Sequence, residues 1–144
     1  MNQLTSVDRQ GYRLSSASDI QIVWEAVKLG FSAGVSPTLR LTHLIQKERS
    51  HLSYVKRLAF GTASSYIPAL VESFPLAKDK VLKIPSRPKL ILELGKRIPR
   101  KLFNPRLIGV EVAGYLGHTI GTLKASRSSQ HQWIYHWVKW LNLE

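Results

Sequence analysis

The sequence predicts a mostly α-helical protein with a single transmembrane helix, and three observations support that fold class. Apolar residues recur at helical spacing through the first half, a basic segment interrupted by prolines follows, and the longest apolar run comes late. The predicted order is amphipathic N-terminal helices, a basic Pro-rich segment, one transmembrane helix and a short Trp-rich C-terminal helix. These parts correspond to residues 1–77, 78–104, 105–124 and 125–144, the last including a linker.

The composition limits the classes of protein to which the chain can belong. It has 144 residues, with 21 Lys and Arg against nine Asp and Glu, giving a net charge of +12. Such an excess indicates a polyanionic partner: RNA, an acidic protein, or an anionic lipid such as cardiolipin. A hydrophobic content of 44% excludes a polytopic membrane protein but leaves room for one span. The chain has no cysteine, which excludes disulfides, thiolate metal ligands and cysteine nucleophiles.

The N-terminal region combines an import-like composition with two predicted helices. Residues 1–18 contain Arg9, Arg13 and several serines with a single acid, a composition typical of mitochondrial import segments. A capping-box spacing in SDIQ begins a helix expected over 18–33. A Ser-Pro pair begins a second, expected over 36–60. Gly61 is expected to end it, and a short amphipathic piece interrupted by proline follows.

The basic segment holds two thirds of the net charge. Residues 78–106 contain ten Lys and Arg and two acids, a net charge of +8, and four prolines leave room for one short helix at 89–97. By the positive-inside rule this side of the span faces the mitochondrial matrix, which places the N-terminus in the matrix. An RNA-binding protein would carry the same cluster for phosphates. The residues nearest the span are expected to contact anionic lipid or another polyanion: Arg97, Arg100, Lys101 and Arg106.

The predicted transmembrane helix covers residues 105–124. Asn104 is a favourable N-cap, and Pro105 loses no hydrogen bond at the first helical position. Twenty helical residues span about 30 Å, which matches the hydrocarbon thickness of a bilayer. Between residues 107 and 123 only Glu111 and His118 are ionisable. The alternative interpretation is a buried helix of a soluble domain that tolerates its glycines.

Small and polar residues of this helix share one side. At about 100° per residue they occupy roughly a third of the circumference, and most of the large apolar residues lie opposite. Glycines along one side let another helix approach closely, and intramembrane polar groups are tolerated where they face protein. The sequence therefore predicts a helix-packing interface formed by Gly114, Gly117, Gly121, Glu111 and His118.

The C-terminal segment is rich in tryptophan. After a polar linker at 125–132, Trp133, Trp137 and Trp140 follow the spacing i, i+4, i+7 and form one stripe of a predicted helix. Indoles have apolar bodies and a polar N–H, so these residues are predicted to lie in the headgroup layer of a membrane. A packing face against another protein remains open, as does stacking on RNA bases.

The sequence shows no catalytic arrangement. The five histidines are dispersed, and the chain has no phosphate-binding glycine loop, zinc-protease motif or serine nucleophile motif. We therefore expect no enzyme activity, no cofactor and no metal site.

One segment is similar to a known family. The run GVEVAGYLGHTIG at 109–121 resembles the C-terminal membrane helix of subunit g of the mitochondrial F-type ATP synthase. That family has a basic, amphipathic N-terminal half and one late span containing a G-E-x-x-G motif followed by basic residues. Gly117 and Gly121 match the glycines of the motif, Glu111 stands for an upstream acid, and Tyr115 for an aromatic residue.

The chain departs from the family pattern at several points, which include a closer spacing of Glu111 to Gly117 and a Trp-rich tail that the family lacks. His118 occupies the position of the motif's glutamate, and Thr122 and Leu123 replace its basic pair. The resemblance implies a non-catalytic accessory subunit of the inner mitochondrial membrane that contributes to synthase assembly or dimerisation and to cristae shape. Its partners would be other subunits of a large membrane complex. The alternatives are an organellar ribosomal protein that binds rRNA through its basic segments, and an accessory subunit of a respiratory complex.

Overall fold

The computed structural model describes residues 17–32, 34, 36–38, 40, 42, 44–97, 104–129 and 132–144. In these ranges the chain is mostly helical, as predicted, and contains no strand. Short 3-10 turns occur at Lys47–Ser50 and Pro75–Ala77. The α-helices in chain order are α1 (Ser18–Lys28), α2 (Leu52–Ser73), α3 (Lys78–Val81), α4 (Arg87–Arg97), α5 (Pro105–Ser126) and α6 (Trp133–Trp140).

Two long helices, α2 and α5, form the centre of the fold and run parallel to each other. Gly109 of α5 lies beside Lys56 of α2, Gly117 beside Phe60, and Gly121 beside Ser64, so residue numbers increase in the same direction along both helices. A parallel pair needs a connection that returns to the starting end. The segment between α2 and α5, which includes α3 and α4, makes this return.

The hydrophobic core lies on another side of α5. The large apolar residues of α5 are buried against the two shorter helices, α4 and α6, and against the C-terminal residues. Each short helix contributes a pair spaced by four residues, which places both members of the pair on one face. The core consists of Phe60, Leu90, Leu94, Ala113, Leu116, Ile120, Leu123, Ile134, Val138 and Leu143.

The prediction of a transmembrane helix at 105–124 is wrong. In the part of the chain that the structure describes, no helix combines the length and the apolar character needed to cross a membrane. With 22 residues, α5 is long enough, but Glu111, Tyr115 and His118 interrupt its apolar sequence. Its apolar side is covered by α4 and α6, so that Leu116 and Ile120 are fully buried within the chain. The prediction that the N-terminus faces the matrix was inferred from that span, so it no longer has this support.

Helix α1 packs against the C-terminal half of α2 through an aromatic cluster. The Trp24 ring meets Tyr66 at 5.7 Å and Phe74 at 5.6 Å between centroids, both edge to face. Beside this cluster Gln21, which is 1% exposed, donates a hydrogen bond from Nε2 to a carboxylate oxygen of Glu72 at 3.3 Å. These contacts connect the N-terminal region to the α2–α5 pair.

The observed bounds of α1 and α2 differ from those expected. Helix α1 ends at Lys28, and Gly30 follows with a φ of +89°, a left-handed conformation that glycine adopts without strain. Helix α2 begins at Leu52 and continues through Gly61 and Pro68 to Ser73. Tertiary packing against α5 therefore overrides two residues that end helices in isolation. Residues 1–16 of the import-like segment lie outside the described residues.

Both C-terminal helices end in the same hydrogen-bonded motif. At the end of α5 the N–H of Ser128 donates to the Leu123 carbonyl, with Arg127 in the left-handed region at a φ of 52°. At the end of α6 the N–H of Leu143 donates to the Val138 carbonyl, with Asn142 at a φ of 51°. These are Schellman motifs, and in the second the Leu143 side chain is buried with Val138 in the core.

Candidate helix-packing seam and basic surface

The closest approach between α2 and α5 occurs at two of the predicted interface glycines. A methyl group on Gly117 would collide with the carbonyl oxygen of Phe60 and would lie 3.0 Å from its Cα atom. A methyl group on Gly121 would lie 2.8 Å from the carbonyl oxygen of Ser64 and 3.2 Å from that of Ala63. The atoms in the way are backbone atoms, which cannot move to another rotamer as side-chain atoms can. Glycine is therefore required at both positions for the two backbones to lie this close.

The backbone carbonyl of Ser64, which lies next to Gly121, cannot accept the usual helical hydrogen bond within α2. Proline has no N–H, so Pro68 cannot donate to the carbonyl of Ser64 four residues earlier. That carbonyl oxygen is the atom closest to the methyl position of Gly121. The side-chain hydroxyl of Ser64 bonds elsewhere, to the carbonyl of Gly61 at 3.0 Å. The backbone of α5 thus approaches α2 at the point where Pro68 removes one backbone hydrogen bond of α2.

Polar side chains buried on α5 are satisfied by its own backbone. Thr119 and Thr122 are 2% and 1% exposed. Their hydroxyl groups donate to the carbonyls of Tyr115 and His118, each at 2.9 Å. This bonding to the preceding turn lets threonine occupy a buried helix face without an unpaired polar group.

The other three predicted interface residues lie on a neighbouring side of α5. Gly114 is half-buried, and a methyl group there would meet nothing within 4 Å. Glu111 is half-buried and His118 is exposed. The structure therefore divides the five predicted residues into two that contact α2 and three that border the pair. A role for these three in contacting another protein stays a prediction.

Next to His118 an open groove of about 480 Å³ follows the N-terminal half of α2. Its surface is almost entirely apolar. The groove ends at Tyr66, the residue against which Trp24 of α1 packs. It is lined by Val55, Leu58, Ala59, Thr62, Ala63, Tyr66 and His118.

Sequence reasoning missed α2 as the partner of the glycine side of α5. The helix end expected at Gly61 falls within the segment of α2 that contacts Gly117 and Gly121. The signal that could have revealed the pair is the run of small residues at 61–65, GTASS, which matches the small-residue spacing on α5. No sequence pattern predicted the groove. Its residues lie on several helical turns, and their exposure depends on which other helices pack against them.

The structure describes only part of the predicted basic contact. Arg106 is exposed in the first turn of α5. Arg97 is the last residue of α4, but its side chain lies outside the described part of the chain, as do Arg100 and Lys101 altogether. Five further cations that precede or begin α4 are exposed: Lys78, Lys80, Lys83, Arg87 and Lys89.

The tryptophans of α6 lie at increasing exposure along the helix. Trp133 is half-buried and packs edge to face on Trp137, with ring centroids 5.4 Å apart. Trp137 is about half exposed and Trp140 is 83% exposed. Their location at a membrane interface stays a prediction. On the same helix, burial and the nearby Glu144 carboxylate raise the pKa of Tyr135.

The described residues contain no group of three histidine or acidic side chains placed to hold a metal ion. His43 and His131 lie outside the described ranges. Comparison of the chain with protein-family models, curated proteins and solved structures finds no match in any of the three.

Proposed function

We propose that this chain is a non-catalytic accessory subunit of the mitochondrial ATP synthase, contributing to assembly or dimerisation of the enzyme and to cristae shape. The observation that supports this proposal is the pair Gly117 and Gly121. Both glycines match the motif of subunit g, and both serve here as positions of close helix approach. A helix pair joined in this way is rigid and presents neighbouring residues, such as Gly114 and His118, at a defined place.

Uncovered apolar residues also support a role as a subunit. On α1, Ile20, Val23 and Val27 lie on one side of the helix and are 40–50% exposed. Contiguous apolar surface of this kind marks interaction sites, because exposing it to water is unfavourable. The proposed partners are other subunits of the same membrane complex.

A second candidate function is that of an organellar ribosomal protein. The observation in its favour is the set of exposed cations between residues 78 and 89, which suits the phosphates of rRNA as well as it suits lipid or acidic protein. An accessory subunit of a respiratory complex would use the same surfaces. The ATP synthase proposal places the chain in a mitochondrion, and the ribosomal candidate places it in an organelle.

Native gel electrophoresis of digitonin-solubilised mitochondria distinguishes the candidates. We expect the tagged chain to migrate with ATP synthase monomers and dimers, and we expect its removal to lower the dimer fraction. Migration with ribosomal subunits and release by ribonuclease would support the second candidate instead. Migration with a respiratory complex would support the third, and a location outside mitochondria would contradict the ATP synthase proposal.

The variant Gly114→Leu tests whether the border of the glycine side recruits a partner. Gly117→Leu cannot answer this question, because it would disrupt the α2–α5 pair itself. A methyl group on Gly114 meets nothing within 4 Å, so we expect a leucine there to leave the fold intact while blocking a helix that approaches from outside. We expect Gly114→Leu to deplete the chain from the purified complex. Normal incorporation would show that this border contacts no partner.

A further inference from the structure

The outer face of α4 exposes aliphatic side chains between cations. Ile91 is 59% exposed and Leu92 is 56% exposed. Lys89 and Lys96 are also exposed. A soluble helix would ordinarily carry polar residues at such positions, so these aliphatic residues need an explanation.

The geometry of α4 shows that these residues face away from the rest of the protein. Leu90 and Leu94 are 0% and 8% exposed and contribute to the core with α5. At about 100° per residue, Leu92 lies on the side of the helix opposite this pair, and Ile91 lies on the flank between the two sides. Lys89 and Lys96 flank Leu92 within about 60° on the same side. Helix α4 thus carries apolar residues on two sides, and the rest of the protein covers only those on the inner side.

The cations on this surface are largely available for an external partner. Lys96 pairs with Glu93 at 3.1 Å, but both groups are exposed and lie three residues apart on one helix, an arrangement that contributes little. Lys83, Arg87 and Lys89 are exposed as well. Residues 75–97 contain seven cations and two acids, so the segment carries a net charge of +5.

This combination favours a lipid surface over RNA. Aliphatic side chains on an amphipathic helix enter the boundary between headgroups and acyl chains, while neighbouring lysines extend to the phosphates. Proteins that bind single-stranded RNA stack its bases on aromatic side chains. Residues 75–97 contain no aromatic residue, and aliphatic residues such as Leu92 add nothing to phosphate binding.

We propose that the outer face of α4 binds the surface of a bilayer containing anionic phospholipid. Leu92 and Ile91 enter the headgroup boundary, and Lys89 and Lys96 contact the phosphates. Helix α4 lies in the plane of the surface, and its inner side remains packed on α5. This proposal names the partner of the basic surface in the function proposed above, and it rests on that surface facing a membrane in the cell.

Co-sedimentation of the purified full chain with vesicles tests the proposal. The probes are vesicles of phosphatidylcholine alone and of phosphatidylcholine mixed with an equal weight of cardiolipin. We expect binding to the mixed vesicles that weakens as salt is raised, and little binding to the neutral ones. Equal binding to both vesicles would overturn the proposal.

Two variants separate the apolar contribution from the charged one. Leu92→Gln should lower partitioning onto the mixed vesicles about tenfold without changing its salt dependence, because a leucine loses its burial in the boundary. Lys89→Gln should lower partitioning about fivefold and weaken the salt dependence. Both side chains are exposed, so far-UV circular dichroism and the melting temperature should stay at the wild-type values.

The matched control is Leu29→Gln, which removes a leucine that is 77% exposed at the end of α1 and lies outside the basic segment. It should leave partitioning unchanged. An equal loss from Leu29→Gln would mean that any exposed leucine suffices. Wild-type partitioning of Leu92→Gln, with loss only in Lys89→Gln, would show a polyanion contact of the RNA type. Because the assay needs no other subunit, failure of the ATP synthase proposal in native gels leaves its result unaffected.

Discussion

At the scale of single residues, the glycines of α5 differ in what surrounds them although the sequence presents them alike. Gly117 and Gly121 face backbone atoms of α2, whereas Gly114 faces open space. A glycine in a helix interior makes the helix less stable than an alanine does. Glycine therefore stabilises the protein only where a close approach of another backbone requires it. Which positions require glycine therefore depends on where α2 approaches α5.

The variants Gly117→Ala and Gly114→Ala should change stability in opposite directions. Gly117→Ala should lower the free energy of unfolding by about 1–3 kcal/mol, since the methyl group meets the Phe60 backbone. Gly114→Ala should raise it by about 0.5–1 kcal/mol, because alanine favours the helix and nothing obstructs it. Urea unfolding measures both. Equal effects at the two positions would contradict the close approach at Gly117.

A left-handed arginine at the end of α5 provides a second test at this scale. Arg127 has a φ of 52°, a region that costs a residue with a side chain about 1 kcal/mol relative to glycine. We expect Arg127→Gly to stabilise the chain by roughly 0.5–1 kcal/mol in urea unfolding. The control is Lys124→Gly inside the same helix, which should destabilise by about 1 kcal/mol. Destabilisation by Arg127→Gly would show that its side chain contributes more than its backbone strain costs.

At the scale of elements, short helices determine the environment of a long one. Helices α4 and α6 have 11 and eight residues, too few to be stable alone, yet their buried pairs cover the apolar side of α5. In return α5 supplies the surface that stabilises them. The apolar run of α5 is therefore core, and its burial depends on segments that lie before and after it in the chain.

Truncating α6 on its inner and outer sides should give very different results. Ile134 is fully buried in the core, so Ile134→Ala should lower the free energy of unfolding by about 2–5 kcal/mol. Trp140 is 83% exposed, so Trp140→Ala should stay within about 0.5 kcal/mol of the wild type. Thermal unfolding followed by circular dichroism measures both. A large loss from Trp140→Ala would mean that the indole is covered in the protein in solution.

At the scale of the whole molecule, the charged segment lies between the two long packed helices in the chain, and its helix α4 contributes to the core. The α2–α5 pair requires a return connection, and that connection is the basic segment. Its described cations are exposed and two of its leucines are buried. A rigid core thus presents a basic outer surface. The charge of +12 favours a polyanionic partner, and the fold provides a fixed platform for it.

The salt dependence of polyanion binding should report how many of these cations touch phosphates. With a single-stranded RNA homopolymer as probe, the log–log slope of affinity against salt becomes shallower by about 0.7 for each phosphate that is no longer neutralised. The variant with Lys78, Lys80 and Lys83 changed to Gln should therefore reduce the slope by about 2. Lys139→Gln, an exposed cation on α6, is the control and should leave it unchanged. An unaltered slope in the triple variant would place the binding surface elsewhere.

The sequence by itself determined the features that depend on local chemistry. Helical spacing, the proline at the start of α5 and the tryptophan spacing of α6 predicted helices in the correct places, because each signal acts within a few turns. The charge of the segment between the long helices is also a property of composition alone. The glycine spacing of α5 predicted close approach by a helix of another protein, whereas Gly117 and Gly121 lie against α2 of the same chain.

Only the tertiary structure decided what covers each face. An apolar helix face indicates burial, but its pattern does not distinguish lipid, a partner or another part of the same chain. Here α4 and α6 bury Leu116 and Ile120, and the backbone of α2 packs directly against Gly117. The helix-ending signals of Gly61 and Pro68 were outweighed in the same way, since packing energy gathered along 22 residues of α2 exceeds the local cost of either residue.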